Sequence, residues 1–349
     1  MTDQIPEKIL DELTGPSVWA GPEIQNDPNW IYRISDEGIA DIDAALHQAE
    51  KAGVKIPFSR DHFPLTVFTD ELRSILDDVR EGRGFAIVRG IPRERYTDEQ
   101  CALIYWGIGT HIGRPVSQNA RGHLLGHVMD EGRSYDDPTA RGYQTHQRMD
   151  FHCDLLPVDV LGLFCLRQAK SGGMSHLVSS LMIHNVLRRE RPDLLEEAYE
   201  LFTVDWRGEE PEGEKPWYRL PMLSVKDGKV TSRFMSRQYY ESCERFGPEY
   251  ALTQKQKELL DLVQEIANRP ELRVTMRLQE GDIQLVNNHT TMHARDEFED
   301  YDEPELKRHL LRMWIALPDE IRRPLSPLLD ERYGWVQRGG IPVKQVQAA

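Results

Sequence analysis

Two histidines and one aspartate have the residue types and spacing of metal ligands. His152 and Asp154 lie two residues apart, and His293 follows far downstream; we call these three residues the metal triad. On a β-strand, residues two apart project from the same face with Cα atoms roughly 6–7 Å apart, so that one ion can be bound by both side chains. Two imidazoles and one carboxylate form the facial triad of non-haem Fe(II) sites, which leaves coordination positions open. A structural zinc site would instead be closed and would usually include thiolates.

Two arginines four residues apart occur in an apolar segment that is typical of a strand. Arg308 and Arg312 lie in the sequence KRHLLRMW and are expected to project from one face. A guanidinium among apolar side chains is costly to bury unless it meets a carboxylate, which it binds through two hydrogen bonds. The pattern predicts an anionic small molecule as the ligand. An ordinary salt-bridged sheet edge is the alternative.

Helical periodicity and capping signals predict the helices that surround these residues. Thr97 with Gln100, and Thr253 with Gln256, have the spacing of a capping box. The predicted helices are 36–51, one starting after Thr69, one starting after Thr97, 181–189, 194–200 and 254–267. The last three interrupt a series of predicted strands and therefore form a helical insert.

Short apolar runs between turn residues predict the strands that carry the candidate ligands. The predicted strands are 84–90, 161–169, 175–179, 274–278, 282–288, 292–298 and 309–317. Strands that pair across a long helical insert must be non-local neighbours, as in a jelly roll. Alternating βαβ units do not occur in this pattern, which disfavours a doubly wound nucleotide-binding sheet.

Charge and composition disfavour several classes of partner. The 349 residues include 43 basic and 58 acidic side chains, and the net charge of −15 repels phosphate backbones and anionic lipid surfaces. No long uncharged apolar run predicts a membrane span or a signal peptide. The four cysteines form no CxxC pair, so we expect reduced thiols in the core, Cys153 among them. These features predict a cytoplasmic protein without nucleic-acid or membrane partners.

Taken together in chain order, the motifs resemble the taurine dioxygenase-like (TauD/TfdA) family of Fe(II)- and 2-oxoglutarate-dependent oxygenases. The resemblance covers about residues 84–343. Its motifs are His152-Cys153-Asp154, Gly172-Gly173-Met174-Ser175, Asn288 with His293, and Arg308 with Arg312. The resemblance implies a mainly β fold with helical flanks and a double-stranded β-helix (jelly-roll) core. The segment 294–307 is longer and more acidic than in the taurine enzyme, so its loop contacts cannot be transferred.

The resemblance also implies roles for the candidate residues. The metal triad would bind Fe(II), and Arg308 would pair with the distal carboxylate of 2-oxoglutarate. Ser175 falls where relatives carry a threonine whose hydroxyl helps to hold that carboxylate. Arg312 falls where the taurine-type enzymes place an arginine near the substrate anion or the cosubstrate. With O2, the expected reaction is oxidation of a substrate C–H bond with release of succinate and CO2; hydroxylation is the default, and desaturation, cleavage and ring formation stay open.

Several further residues are weaker candidates. His146, Arg148, Gln118 and Asn119 are candidates for the wall of the substrate pocket. His289 lies four residues before the last member of the metal triad, but we expect that it is not a ligand. The substrate itself is expected to be a small anion, a carboxylate or a sulfonate, because a planar guanidinium fork matches those groups.

These inferences predict one oxygenase domain over residues 1–349. It would consist of a helical N-terminal flank over about 1–83, a jelly-roll core with the helical insert over about 84–320, and a C-terminal extension over 321–349. Two other functions stay open: a hydrolase or isomerase that holds zinc or another divalent ion on the same triad, and a non-catalytic sensor of 2-oxoglutarate or metal. The resemblance is compatible with a homo-oligomer, since relatives are commonly dimers or tetramers.

Overall fold

The structure is a computed structural model, and it describes residues 7–134, 141–155, 158–329 and 340–344. In these ranges the α-helices are α1 (Gly21–Asn26), α2 (Asp36–Lys51), α3 (Val67–Glu81), α4 (Asp98–Ile112), α5 (Ser180–Glu190), α6 (Pro192–Ala198), α7 (Gln238–Glu241) and α8 (Gln254–Ala267). The strands are β1 (Ile31–Arg33), β2 (Phe85–Arg89), β3 (Arg114–Val116), β4 (Leu125–Val128), β5 (Met149–His152), β6 (Val160–Arg167), β7 (Ser171–Gly172), β8 (Ser175–Ser179), β9 (Leu201–Asp205), β10 (Trp217–Pro221), β11 (Leu223–Lys226), β12 (Lys229–Ser232), β13 (Arg273–Met276), β14 (Ile283–Asn287), β15 (Thr291–Arg295), β16 (Phe298–Glu299) and β17 (His309–Ala316). Both helix and strand content are therefore substantial.

Two sheets built from sequence-distant strands position the site. The larger sheet has the order β1-β2-β14-β6-β17-β3, with β4 also paired to β17, and the smaller has the order β13-β8-β15-β5. Strand β14 pairs antiparallel with both β2 and β6, and β15 pairs antiparallel with both β5 and β8. The helices α5, α6 and α8 lie between β8 and β13 in the chain. Non-local pairing across a helical insert is what the sequence predicts.

Strand β17 divides the interior into two hydrophobic clusters. Leu310 and Trp314 belong to a cluster that includes residues of both sheets. Leu311 and Met313 belong to a second cluster, which includes residues of α2, α3 and α4. Alternate side chains of a strand point to opposite faces, so Arg312 shares the face of Leu310 and Trp314. This face is directed toward the smaller sheet, where the metal triad lies.

Most predicted helices and strands agree with the structure to within a few residues. Helices α2 and α8 have the predicted bounds, and both predicted capping boxes are formed, at Thr97 with Gln100 and at Thr253 with Gln256. Helix α3 begins at Val67, before the predicted start after Thr69, and Asp41 accepts hydrogen bonds from the backbone of this first turn.

Other predicted elements need correction. The strand predicted over 292–298 is interrupted: β15 ends at Arg295, and Phe298 instead pairs with Gly172. The segment 151–154 is not one strand, because β5 ends at His152 and Asp154 lies beyond it. Two hairpins, β9 with β10 and β11 with β12, were not predicted.

Some predictions fall outside the described residues. These are the first six residues of the predicted N-terminal flank, and residues 330–339 and 345–349 of the predicted C-terminal extension. Among the helices of the described ranges, none has the length and apolar character needed to cross a membrane.

Candidate active site

The metal triad is assembled by two adjacent strands of the smaller sheet. His152 on β5 pairs with His293 on β15, and their ring centroids are 4.3 Å apart. Asp154 follows two residues after the end of β5. One potential ligand atom from each residue lies within 4.8 Å of the others, and no other group of three His, Cys, Asp or Glu side chains in the described ranges meets this geometry. The structure therefore brings together the three residues selected from the sequence.

Hydrogen bonds orient two members of the triad. His152 Nδ1 lies 2.7 Å from the carbonyl oxygen of Asp150, which accepts its proton and leaves Nε2 with a free lone pair. Trp314 Nε1 donates to Asp154 Oδ2. The imidazole Nδ1 of His293 is buried and has no hydrogen-bond partner within the described residues. Partners of this kind orient metal ligands, and two neutral nitrogens with one carboxylate fit Fe(II).

Hydrogen bonds also fix the backbone of Asp154. The side chain of Asn288 accepts from Asp154 N at 2.8 Å and donates to Asp154 O at 3.3 Å. Arg233, which is fully buried, also donates to this carbonyl oxygen. Asn288 directly follows β14, so the larger sheet supports the ligand loop of the smaller one.

Burial and neighbouring charges give the triad the protonation state that metal binding requires. Burial lowers the pKa of His152 and takes that of His293 to about 3, which keeps both imidazoles neutral. Burial alone would raise the pKa of Asp154, but Arg312 and the two histidines outweigh it, and the pKa is lowered. Neutral imidazoles and an ionised carboxylate are the metal-binding forms.

A cavity beside the triad contains the residues expected to hold 2-oxoglutarate. It is lined by Ser175, Arg308 and Arg312 together with His152 and His293. Arg308 is only 5 % exposed, and in the part of the chain that the structure describes its Nη1 has no hydrogen-bond partner. Burial lowers the pKa of this guanidinium. A buried guanidinium with an unused donor fits a carboxylate ligand, so these residues fit 2-oxoglutarate.

A glycine turn brings Ser175 and Arg308 together. Gly172 and Gly173 both have positive φ angles, 73° and 66°, which favour glycine. A Cβ atom on Gly172 would lie 2.4 Å from the carbonyl oxygen of Glu297, and Gly173 donates its N–H to the same oxygen at 2.9 Å. The close backbone contact fixes the chain that leads into β8.

Arg312 lies between the cavity beside the triad and a larger cavity. Its Nε donates to Gln118 Oε1 at 2.7 Å, and its Nη1 is 3.8 Å from Asp154 Oδ1. The guanidinium carbon is 4.6 Å from the ring centroid of Tyr143 and 5.0 Å from that of Trp314. Arg312 lines both cavities, so its position alone does not decide between cosubstrate and substrate.

The larger cavity, of about 260 Å³, reaches the metal triad. Of the weaker candidates, Gln118 and Arg148 line it. His146 does not; its Nδ1 is 3.2 Å from Asp130 Oδ2. Asn119 instead caps the backbone of the turn that follows it. Two of these four residues therefore lie on the wall of a cavity that reaches the metal triad, and their contact with a substrate stays a prediction.

Two other expectations concern residues near the motifs. His289 does not join the metal triad, as expected; its Nε2 is 3.0 Å from Asp159 Oδ1, and both side chains are buried. Cys153 is buried, with its Sγ 3.7 Å from Ser232 Oγ. All four cysteines are free thiols in the core, as expected.

The sequence did not predict several residues of the larger cavity. They are Arg141, Tyr143, Glu209, Tyr239 and Trp314. Trp314 lies two residues after Arg312 on β17, so both side chains project from the same face of the strand. This spacing could have identified Trp314. The other four lie in loops or on the short helix α7, where neither periodicity nor spacing relates them to the metal triad.

The chain is similar to oxygenases in both sequence and structure. A family model described as "Taurine catabolism dioxygenase TauD, TfdA family" matches residues 44–314. FR-33289 synthase of Streptomyces rubellomurinus is 34% identical over 94% of this chain and 97% of its own length. A taurine hydroxylase-like protein of Stachybotrys chartarum is 29% identical over 93% of this chain and 84% of its own length. An asparagine oxygenase, crystallised with Fe(II), hydroxyasparagine and succinate, superposes with a TM-score of 0.63 at 15% identity, over 82% of this chain and 93% of its own.

Proposed function

The chain belongs to the TauD/TfdA family and is an Fe(II)- and 2-oxoglutarate-dependent dioxygenase; from this premise we propose that it hydroxylates, or otherwise oxidises, a C–H bond of a small anionic organic molecule. Succinate and CO2 are released from the cosubstrate. The observation that carries the proposal is that the two histidines of the metal triad line one cavity with Arg308, whose Nη1 has no hydrogen-bond partner among the described residues. Family membership favours the oxygenase over the hydrolase, isomerase and sensor alternatives.

We assign the roles within the site as follows. The metal triad holds Fe(II), and Arg308 and Ser175 hold the distal carboxylate of 2-oxoglutarate. The bound iron, with 2-oxoglutarate and O2, supplies the oxidising power for C–H cleavage. Trp314 fixes the carboxylate of Asp154 by a hydrogen bond, which limits rotation of this ligand.

Arginines on the wall of the larger cavity support an anionic substrate. Arg141, Arg148, Arg237 and Arg312 all line this cavity, although the chain as a whole carries a net charge of −15. Arg148 and Arg237 already pair with carboxylates, at Asp150 and Asp261 among others. Among the carboxylates of the described residues, the one within 4 Å of Arg312 is Asp154, at 3.8 Å. We therefore favour Arg312 as the residue that binds a carboxylate, sulfonate or similar group of the substrate.

The fold of the core and the cellular location of the protein follow from further observations. We propose a double-stranded β-helix core within one domain, supported by the non-local antiparallel pairing of the two sheets. One hydrophobic cluster includes residues from Trp19 to Ile341, which supports a single folding unit. Four free, buried cysteines support a reducing compartment, the cytoplasm.

Anaerobic titration tests this function directly. Fe(II) and 2-oxoglutarate are added to the metal-free protein, and the weak visible charge-transfer band of the chelate is recorded. Oxygen is then admitted and succinate is assayed, with Asp154→Ala as the control. We expect the band and succinate in the wild type and neither in the variant. Bound metal without a band or succinate would refute the assignment.

A further inference from the structure

Gln284 is a polar residue in the middle of a buried strand. Its neighbours on β14, Ile283 and Leu285, belong to the hydrophobic cluster that includes residues of α2, α3 and α4. Alternate residues of a strand point to opposite faces, so Gln284 projects from the other face, which is directed toward the smaller sheet. Val286, which shares that face, belongs to the cluster that includes residues of both sheets. Gln284 is only 2% exposed, so its amide group lies in a largely apolar interior.

The residues around Gln284 satisfy this amide group poorly. Within the larger sheet it pairs with Ile87 on β2 and with Leu163 on β6, whose side chains are apolar. The hydrogen bond found for its side chain in the described part of the chain runs from Nε2 to Met276 Sδ, at 3.3 Å. A thioether sulfur is a weak acceptor, and the amide nitrogen has a second hydrogen to donate. Burial of an amide with so little compensation is costly, which indicates a ligand as its further partner.

The contact with Met276 places the amide group of Gln284 beside Ser175. Met276 lies on β13 directly opposite Ser175 on β8. Residues directly opposite each other in an antiparallel pair have Cβ atoms about 4.5–5.5 Å apart on the same face. The side chain of Gln284 therefore extends from the larger sheet to the smaller one and ends next to Ser175. Gln284, Ser175 and Arg308 all line the cavity beside the triad.

These three side chains offer hydrogen-bond donors to one anionic group. No Asp or Glu side chain of the described ranges lines this cavity, so no carboxylate of its wall competes for the donors. An ionised carboxylate has about four acceptor positions on its two oxygens. A guanidinium such as that of Arg308 can fill two of them. The remaining positions can accept from the hydroxyl of Ser175 and from an amide N–H of Gln284.

We propose that Gln284 Nε2 donates a hydrogen bond to the distal carboxylate of 2-oxoglutarate, as a third donor beside Arg308 and Ser175. This inference rests on the proposed function and adds a cosubstrate-binding residue to the same site. Because Gln284 belongs to the larger sheet and Ser175 to the smaller one, the bound cosubstrate links the two sheets. An uncharged amide contributes direction rather than charge, so it favours an oxoacid that carries an acceptor at this end.

Two oxoacids that differ only at the distal end test the proposal by binding, without turnover. 2-Oxoglutarate carries the distal carboxylate, and 2-oxovalerate carries a methyl group in its place. Each is titrated anaerobically into the Fe(II)-loaded wild type and into Fe(II)-loaded Gln284→Leu, and the charge-transfer band is recorded. We expect Gln284→Leu to weaken 2-oxoglutarate binding by about tenfold, the effect of losing one hydrogen bond to a charged group, and to leave 2-oxovalerate binding unchanged. Unchanged 2-oxoglutarate binding, or an equal loss for both oxoacids, would overturn the proposal.

Met276→Leu is the matched control, because it removes the sulfur acceptor and keeps the amide of Gln284. The exchange of Met for Leu conserves volume, so we expect 2-oxoglutarate affinity to stay within about twofold of the wild type. If Gln284 served only to bond Met276, both variants would lose the same affinity, and that result would contradict a direct contact with the cosubstrate. Binding of Mn(II) alone, followed by electron paramagnetic resonance, verifies that both variants are folded.

Failure of this inference is distinguishable from failure of the proposed function. A wild type that binds metal but forms neither the band nor succinate refutes the oxygenase itself. A wild type that forms both, together with a Gln284→Leu variant of equal 2-oxoglutarate affinity, refutes only the role of Gln284 and leaves the oxygenase intact.

Discussion

Arg308 combines nearly complete burial with an unused hydrogen-bond donor. A guanidinium in this state is stabilised when it meets a carboxylate bidentately. We therefore predict that Arg308→Lys, which keeps the charge but loses the planar fork, weakens 2-oxoglutarate binding by about tenfold or more. Arg308→Met should weaken it further, since the charge is lost as well. The charge-transfer titration measures this affinity, and binding of Mn(II) alone, followed by electron paramagnetic resonance, should stay unchanged.

The same titration distinguishes the role of Arg308 in 2-oxoglutarate binding from that of Arg312. Both line the cavity beside the triad, but Arg312 also lines the larger cavity. If 2-oxoglutarate affinity is unchanged in both Arg308 variants and falls in Arg312→Ala, the two assignments must be exchanged.

Asn288 is predicted to position a metal ligand through its backbone. Its amide group pairs with both the N–H and the carbonyl oxygen of Asp154. Asn288→Ala would leave the buried N–H of Asp154 without this partner and the carbonyl oxygen with Arg233 as its remaining donor, at a cost of about 1–3 kcal/mol in the free energy of unfolding. Displacement of the ligand loop should also lower metal affinity by roughly tenfold or more, as loss of outer hydrogen bonds to metal ligands does.

The neighbouring asparagine supplies the control for this prediction. Asn287 is also buried, but its side chain donates to the carbonyl oxygens of Val79 and Arg80 in α3 and accepts from the backbone N–H of His289. Asn287→Ala should lower the melting temperature without changing the affinity for Mn(II). Equal metal affinity in both variants would show that Asn288 is structural only.

At the scale of elements, the turn between β7 and β8 should control the shape of the cavity beside the triad. Gly172→Ala places a Cβ atom against the carbonyl oxygen of Glu297 and strains a residue at φ 73°. We predict weaker 2-oxoglutarate binding, because the turn leads directly to Ser175 and packs beside Arg308. Strain of this kind costs on the order of 1–3 kcal/mol.

Gly213→Ala is a matched control that separates the effect of the steric clash at residue 172 from the effect of backbone strain. It has a φ of 80°, and a Cβ atom there would meet nothing within 4 Å. Gly213→Ala should therefore cost some stability and leave 2-oxoglutarate binding unchanged. The same loss of cosubstrate affinity in both variants would show that the contact with Glu297 is not important.

The predicted elements that agree with the structure are those with strong local signals. Helices α4 and α8 begin at capping boxes, and β2 is a β-branched run between glycines. Strand β10, with the sequence WYRLP, contains a proline and a charged residue, and it is stabilised by pairing with β9 rather than by its own pattern. Local propensity cannot predict an element that depends on its partner in this way.

The same distinction applies to the candidate site. The metal triad could be predicted because its residue types are specific to metal binding and two of its members are close in sequence. Glu209 and Arg141 are joined only through tertiary contacts between distant loops. Their residue types are common on any surface. Only the fold shows that this ion pair faces a cavity.

At the scale of the whole molecule, the chain divides its hydrophobic residues between the two faces of the larger sheet. One cluster joins this sheet to the smaller sheet and to α5, α6 and α8, and the other joins it to α2, α3 and α4. Strands β6 and β17 contribute to both clusters. Loss of packing on one face therefore weakens the strands that support the other, and with them Arg312 and Trp314.

Buried histidines should make the metal-free protein sensitive to acid. Burial takes the pKa of His289 and of His309 to about 4 and that of His293 to about 3, against an ordinary value of 6.5. The unfolded chain binds protons to these residues below about pH 6.5, while the folded chain does not. The histidines should therefore contribute their full stabilisation above pH 6.5, and the free energy of unfolding should decrease as the pH falls from 6.5 toward 4, by on the order of a few kcal/mol.

Urea unfolding of the metal-free protein at pH 7.5, 6 and 5 measures this decrease. His289→Gln removes one such histidine and should make the free energy of unfolding depend less steeply on pH. A free energy that is constant between pH 7.5 and 5 would contradict the prediction, since carboxylates whose pKa values lie near or below 4 contribute mainly at lower pH.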